Sequence, residues 1–265
     1  QSLTAVFILN LLRINLDILR EKRMIKVESL SKIFDQQKVL DHVSFEVKSG
    51  EILIFLGLSG TGKTVLLKHL IGLMKPDSGS IYLDGADITK LSQKEQLKMR
   101  RDFGYLFQEG ALYDFMNVFE NVAFPLREHT DYPSTKIKTR VKEVLEMVDL
   151  KDIEGKMPSE LSGGMKKRVG LARAIVLGPK VLLCDEPTSG LDPIRSFDIS
   201  NLLRQVVKKI GTTAVITSHD VENSFRIADR LAILNEGRIE VIGTKTDLLA
   251  CQHPFVKEFL KPSAV

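Results

Sequence analysis

Residues 57–64 read Gly-Leu-Ser-Gly-Thr-Gly-Lys-Thr and follow the apolar run Ile52–Leu56, and they give the strongest indication of the fold class. It fits the motif G-x-x-x-x-G-K-[ST] in its expected place, between a strand and a helix. In such a loop, backbone N–H groups surround the α and β phosphates of a nucleotide, and the lysine reaches the β and γ phosphates. A chance glycine-rich turn would lack the flanking strand and helix. The predicted ATP- or GTP-binding residues are Gly57, Ser59, Gly60, Thr61, Gly62, Lys63, Thr64 and Val65.

A second apolar run, residues 181–184, ends in the two carboxylates Asp185 and Glu186. Parallel sheets place ligands at the carboxyl ends of their strands, so both side chains are expected beside the phosphate loop. Asp185 is predicted to help the Thr64 hydroxyl hold Mg²⁺, because oxygen atoms are the ligands that this ion prefers. Glu186 is placed to polarise an attacking water. A solvated acidic turn after a core strand is the alternative interpretation.

Composition is typical of a globular catalytic chain rather than a disordered or membrane-spanning one. The 265 residues are 43% hydrophobic, enough for one large domain. The net charge is +4, and residues 1–23 carry four basic against two acidic residues, so the remaining excess does not indicate nucleic-acid binding. Two cysteines cannot build a disulfide framework. No apolar run approaches the roughly 18 residues of a membrane-spanning helix.

The first methionine, Met24, directly precedes the first predicted strand, whereas the chain opens with Gln1. Residues 1–23 mix apolar runs with polar residues such as Asn10 and Arg13, a pattern that also fits a surface helix. A signal peptide is disfavoured because no basic segment precedes the apolar stretch. We expect Met24 to be the natural start and residues 1–23 to be a leader that is not native.

The order of further motifs resembles that of the ATP-binding subunits of ABC transporters, from about residue 24 to about residue 249. The matching positions are Phe34 for the aromatic that stacks on adenine, Gln108 for the Q-loop, Ser162-Gly163-Gly164 for the signature, Asp192 for the D-loop and His219 for the switch histidine. The resemblance implies that Glu186, His219 and Gln108 are catalytic, that Gln108 also senses Mg²⁺, and that ATP and Mg²⁺ are the cofactors. A core phenylalanine and an ordinary strand-end histidine are the alternatives for Phe34 and His219.

The same resemblance implies the fold class, an α/β P-loop NTPase of the ABC nucleotide-binding type. It has a RecA-like core, an antiparallel β subdomain and an inserted helical subdomain. We expect the ABC ATP-binding domain at residues 24–250, its helical subdomain at about 109–165, and a short tail, at most one short helix, at 251–265. Apolar patterns predict strands at 25–27, 43–47, 52–56, 80–83, 180–184, 213–217, 231–234 and 238–242, with a parallel sheet in the second half. Helical patterns from 119 to 148 are expected to break at Pro125 and at 129–133.

Ser162, Gly163 and Gly164 are predicted to open a helix, whose free N–H groups and dipole attract an anion. The chain already has one phosphate-binding site in its phosphate loop, so this helix start would be a second anion site in the same chain. In the family the phosphate that binds there belongs to a second subunit, so the resemblance implies a head-to-tail homodimer with two ATP molecules at its interface. The alternative is a serine-capped helix that only ends a loop.

Two departures from the commonest family pattern narrow the subgroup. Met165 stands where most ABC subunits carry glutamine, and the stretch after Gln108, residues 109–113 followed by 116–128, includes the aromatic residues Tyr113, Phe119 and Phe124. Both resemble the branch that energises lipid transporters with mammalian-cell-entry (MCE) domains. The resemblance implies an integral membrane permease, an MCE-domain lipid-binding protein and a small regulatory subunit as partners. It also implies a peripheral location on the cytoplasmic face of the inner membrane.

Two other functions remain open at the level of sequence. The first is the ATPase of an importer or extruder for another solute. The second is an ABC ATPase that acts on nucleic acid or ribosomes, which is disfavoured because the chain has one cassette, no sustained heptads and a modest charge. We therefore expect no nucleic-acid partner.

Overall fold

Two β-sheets form the framework of the molecule in the computed structural model, which describes residues 23–261. Residues 1–22 of the predicted leader and residues 262–265 of the tail lie outside this range. The strands are β1 Arg23–Phe34, β2 Gln37–Lys48, β3 Ile52–Leu56, β4 Ser78–Leu83, β5 Ala86–Asp87, β6 Phe103–Leu106, β7 Val181–Asp185, β8 Thr213–Ser218, β9 Arg230–Asn235 and β10 Arg238–Gly243. One sheet has the order β10-β9-β3-β8-β7-β6, and the other has the order β2-β1-β4-β5.

The α-helices pack around these sheets. They are α1 Lys63–Leu70, α2 Gln93–Met99, α3 Val118–His129, α4 Ser134–Met147, α5 Gly163–Ile175, α6 Pro193–Ile210, α7 Val221–Ile227, α8 Lys245–Ala250 and α9 Pro254–Leu260. Between residues 23 and 261, no helix has the length and apolar character that crossing a membrane requires.

Strand β3, which precedes the phosphate loop, is buried along its whole length. Ile52, Ile54 and Leu56 pack in a core that includes residues of α3, α4 and α5. Leu53 and Phe55 pack in a second core with the four-stranded sheet. Side chains alternate between the two faces of a strand, so a strand covered on both faces must be apolar at every position. The continuous apolar run in the sequence therefore has a direct structural cause.

The six-stranded sheet is parallel except at one edge. β3 pairs in parallel with β8 and β9, and β7 pairs in parallel with β6 and β8. β10 is antiparallel to β9, so the predicted parallel arrangement is wrong for this strand. The reason is the connection: Glu236 and Gly237 alone separate the two strands, and a two-residue link can form only a hairpin.

One strand and one helix differ from the pattern-based expectation. β6 was not predicted, because it is four residues long and contains Gly104, which weakens a strand signal. Pro125 lies inside α3, so the predicted helix break at this residue is wrong. A proline ring removes one intrahelical hydrogen bond, and burial of Val122 and Leu126 in the core favours the continuous helix. The second predicted break is confirmed, since α3 ends at His129 and α4 begins at Ser134.

The described part of the C-terminal tail forms one short helix, as expected. Val256 and Leu260 of α9 are buried in the same core as the helical insertion, so this helix packs on its own chain. The predicted boundaries of the leader, the helical subdomain and the tail stay predictions.

Candidate active site

The predicted catalytic segments meet at one edge of the six-stranded sheet. The phosphate loop follows β3, His219 follows β8, Asp185 ends β7 with Glu186 directly after it, and Gln108 comes two residues after β6. These four strands are neighbours and parallel, so their carboxyl ends lie side by side. The topology brings together residues that are far apart in the sequence.

Two glycines of the phosphate loop occupy positions that no other residue would fit. A Cβ on Gly57 would lie 2.4 Å from the carbonyl oxygen of Leu234. Gly62 has a φ of 97°, and a Cβ there would lie 2.7 Å from the carbonyl oxygen of Val39. The loop is thus held tightly between β9 and β2, and it leads directly into α1, whose free N–H groups can attract an anion.

Lys63 is buried at the centre of this loop, with 6% of its surface exposed. Its Nζ donates hydrogen bonds to the carbonyl oxygens of Gly57, at 2.8 Å, and Leu58, at 2.9 Å. The same atom lies 3.3 Å from Oε1 of Glu186. A buried ammonium needs such partners because desolvation of a charge is costly, and they place this cation between the phosphate loop and the end of β7.

Asp185 is held by three hydroxyl groups. Oδ1 accepts hydrogen bonds from Thr64 Oγ1, at 3.0 Å, and from Thr217 Oγ1, at 2.8 Å, while Tyr105 OH lies 3.5 Å from Oδ2. Burial, followed by the negative charge of Asp185, raises the pKa of Tyr105, so this phenol stays protonated and keeps donating. A buried carboxylate beside the Thr64 hydroxyl is a set of oxygen donors that fits Mg²⁺.

Glu186 sits at a strained point directly after Asp185. Its φ is 47°, in the left-handed region that non-glycine residues rarely adopt. The backbone N–H donates to the carbonyl oxygen of Thr217, at 3.2 Å, and to its hydroxyl, at 3.1 Å. His219 Nδ1 lies 2.8 Å from Oε2 of Glu186. Strain of this kind is typical of functional sites. In this conformation the carboxylate of Glu186 lies next to Lys63 and His219.

The predicted adenine-stacking residue lies on the four-stranded sheet. Phe34 ends β1 and is 39% exposed, with the Nζ of Lys32 5.3 Å from its ring centroid. β2, the partner strand of this hairpin, reaches the phosphate loop through Val39 beside Gly62. The hairpin thus brings an exposed ring to the side of the loop, but its contact with a base stays a prediction.

The signature residues form a helix start, as the sequence predicts. Ser162 is the N-cap of α5, and its Oγ accepts the N–H of Met165 at 3.3 Å. Ser162 and Gly163 are exposed, whereas the side chain of Met165 packs partly buried against the core. The D-loop residue Asp192 caps α6 by accepting the N–H of Arg195 at 3.0 Å. The chain thus presents a second anion-attracting helix start besides its phosphate loop.

Sequence reasoning missed three residues that support the site. Tyr105 and Thr217 contact Asp185, and the Nζ of Lys167 donates to the backbone carbonyl of Gln108 at 2.8 Å. The side chain of Gln108 is exposed. A tyrosine and a threonine on apolar strands give no pattern of their own, because only the pairing of β6, β7 and β8 makes them neighbours.

Comparison with known proteins agrees with this geometry. Residues 40–189 match the family described as ABC transporter. The chain is 44% identical to the probable ribonucleotide transport ATP-binding protein Mkl of Mycobacterium leprae, over 89% of this chain and 68% of that protein. It is 41% identical to the intermembrane phospholipid transport system ATP-binding protein MlaF of Haemophilus influenzae, over 91% of each. It is 49% identical to the methionine import ATP-binding protein MetN of Carboxydothermus hydrogenoformans, over 84% of this chain and 66% of that protein.

A solved structure extends the comparison to three dimensions. A dimeric ATP-binding cassette in a post-hydrolysis state, bound to ADP and Pi, has a TM-score of 0.76 and 30% sequence identity, over 83% of this chain and 98% of that chain. The predicted fold class is therefore confirmed: an ABC-type P-loop cassette with a mixed core sheet, an antiparallel sheet and inserted helices.

Proposed function

The chain belongs to the ABC transporter family and hydrolyses ATP, and from that premise we propose that it drives lipid transport between membranes. It does so as a head-to-tail homodimer on the cytoplasmic face of the inner membrane, bound to a permease. An MCE-domain lipid-binding protein and a small regulatory subunit complete the proposed assembly. The observation that carries the choice of lipid is the similarity to the phospholipid transport protein, together with Met165 and the aromatic stretch after Gln108.

The proposal gives each of these side chains a role in hydrolysis, supported by the geometry described above. The N–H groups of the phosphate loop and the ammonium of Lys63 bind the triphosphate. Thr64 and Asp185, with Gln108, would hold Mg²⁺, which when bound neutralises phosphate charge. Glu186 polarises the attacking water, and His219, 2.8 Å away, fixes the orientation of that carboxylate.

The exposed start of α5 supports the proposed dimer. Ser162, Gly163 and Gly164 offer a hydroxyl, free N–H groups and the positive end of a helix dipole to an anion. In a head-to-tail dimer that anion is the γ-phosphate held by the partner's phosphate loop. ATP then joins the two subunits, and loss of the γ-phosphate contact releases them.

The permease-docking surface is proposed at the aromatic stretch after the Q-loop. Phe115 is 75% exposed, and its ring centroid lies 5.7 Å from that of Tyr113, which in turn packs 5.3 Å from Phe124. Phe124 anchors the cluster to α3, whereas Phe115 is available to a partner. Exposed apolar groups that cluster in this way are typical of protein interfaces.

A second candidate is supported by a separate observation. The identity to the methionine import protein, 49%, is higher than the 41% identity to the phospholipid transport protein, so import of another solute is the alternative. Met165 contacts the core of its own chain, and its link to a lipid cargo rests on resemblance rather than on a contact with cargo.

Purification of this subunit from its native membrane in mild detergent, followed by mass spectrometry, separates the candidates. A permease with an MCE-domain protein and bound phospholipid is the expected result. A permease that co-purifies with a small-solute-binding protein and no lipid would establish the second candidate instead. Co-purification with nucleic acid or ribosomal proteins would contradict both.

A further inference from the structure

The helix that carries the signature also holds the segment after Gln108. Lys167, Gly170 and Arg173 of α5 are spaced three residues apart, so they lie along one face of the helix. Lys167 Nζ donates to the carbonyl oxygen of Gln108 at 2.8 Å, and Arg173 donates to that of Gly110 at 2.9 Å. The side chains of Lys167 and Arg173 thus bind the backbone carbonyls of Gln108 and Gly110.

Close packing in the middle of the row makes the contact rigid. A Cβ on Gly170 would lie 3.1 Å from the Cα of Gly110, and a Cβ on Gly110 would lie 3.0 Å from the carbonyl oxygen of Lys166. Gly110 has a φ of 77°, which glycine adopts without strain. Backbone therefore packs directly on backbone, and there is no side chain between them to absorb a movement of the helix.

Lys167 joins a third segment to this contact. Lys167 is 6% exposed, and its ammonium also lies 3.4 Å from Ser189 Oγ, in the loop that precedes α6. Burial lowers the pKa of Lys167, while the charges of Glu109 and Glu186 oppose that shift. A buried cation whose acceptors are a carbonyl and a hydroxyl loses them at high cost, so α5 and the two loops are expected to move together.

We propose that Lys167 is a positioning residue for ATP hydrolysis, which links the signature end of α5 to the Gln108 and Ser189 loops of the same subunit. Arrival of the partner's nucleotide at Ser162–Gly164 would then set the position of Gln108 in the chain's own site. This inference rests on the roles proposed above for Gln108 and the signature, and it names the connection between them.

The test is steady-state ATP hydrolysis by the purified chain with Lys167→Met, which keeps the length of the side chain but removes its charge and donors. Lys166→Met is the matched control, because it makes the same change one position earlier, where the side chain is half-exposed. We expect Lys167→Met to lower kcat about tenfold through misplacement of Gln108, with KM for ATP within about twofold of the wild type. Lys166→Met should keep the wild-type kcat.

Partial unfolding would also lower the apparent kcat at constant KM, because it lowers the concentration of active enzyme. The thermal transition of each variant is therefore measured as well, and a lower kcat with the wild-type transition distinguishes misplacement of Gln108 from loss of folded protein. Lys167→Gln keeps one donor without the charge and should recover part of the lost kcat. If Lys167→Met does not fold, Lys167→Gln decides, with an expected kcat loss of about threefold or more. A kcat within about twofold of Lys166→Met in the deciding variant overturns the proposal.

Gln108→Ala separates this inference from the function on which it rests. If Gln108→Ala lowers kcat and Lys167→Met does not, the role of Gln108 stands and the link through Lys167 is wrong. If Gln108→Ala hydrolyses ATP at the wild-type rate, the proposed role of Gln108 fails, and the link fails with it.

Discussion

Replacement of Thr217 by valine tests the arrangement of the two site carboxylates, because valine has nearly the shape of threonine but no hydroxyl. Thr217 is fully buried, and its Oγ1 donates to Asp185 at 2.8 Å and accepts the N–H of Glu186 at 3.1 Å. The substitution therefore removes one polar contact from each of two neighbouring residues without leaving a cavity.

The magnitude follows from what each partner retains. Asp185 keeps the hydrogen bond from Thr64 at 3.0 Å, and the N–H of Glu186 keeps the backbone carbonyl of Thr217 at 3.2 Å. Neither group becomes fully unsatisfied, so each of the two lost hydrogen bonds should cost about 1 kcal/mol and the free energy of unfolding should fall by about 2 kcal/mol. For a chain of this size that corresponds to a decrease in Tm of about 4–8 °C.

The catalytic effect has the same origin. Glu186 is held in a strained backbone conformation partly by this hydroxyl, so its carboxylate should shift and kcat should fall about tenfold. Differential scanning fluorimetry and phosphate release measure the two effects. Thr217→Ser is the control, since it keeps the hydroxyl and loses only a methyl group, and it should retain most of the activity. A Thr217→Val protein with the wild-type Tm and kcat would refute the assignment of this hydroxyl.

Three further substitutions address catalysis, dimer formation and docking. Glu186→Gln should bind ATP but lower kcat by about 10² or more, because the polarising carboxylate is lost; phosphate release near the wild-type rate would exclude that role. In this background, Ser162→Arg should abolish the ATP-dependent dimer measured by light scattering. The same change at the exposed Ser159 is the control and should leave the dimer intact. A dimer that persists with Ser162→Arg would contradict the proposed interface. Phe115→Asp should keep nucleotide binding but lose the permease on size exclusion, whereas Leu97→Asp, at another exposed apolar side chain, should keep it; a Phe115→Asp complex that stays intact would argue against the docking surface.

Local patterns in the sequence are enough for the elements that carry a strong periodic signal. The strand before the phosphate loop has the predicted bounds, Ile52–Leu56, because both of its faces are covered and every residue is apolar. The helix start at Ser162 also follows from local chemistry, since a serine N-cap needs only its own backbone. The local patterns do not predict β6, and they wrongly predict a helix break at Pro125. In both cases packing against the rest of the molecule outweighs a weak or contrary local signal.

The phosphate loop and the Asp185-Glu186 pair are each contiguous in the sequence, so local patterns are enough to predict that this chain binds and hydrolyses a nucleotide. The side chains that hold these motifs in place are visible only in the folded molecule. Thr217 lies 32 residues from Asp185 along the chain, and Tyr105 lies 80 residues from it, yet both reach it. Lys167 likewise meets Gln108 across 59 residues. Contacts of this kind depend on which strands are neighbours, and strand order is set by the packing of the whole chain rather than by any one segment.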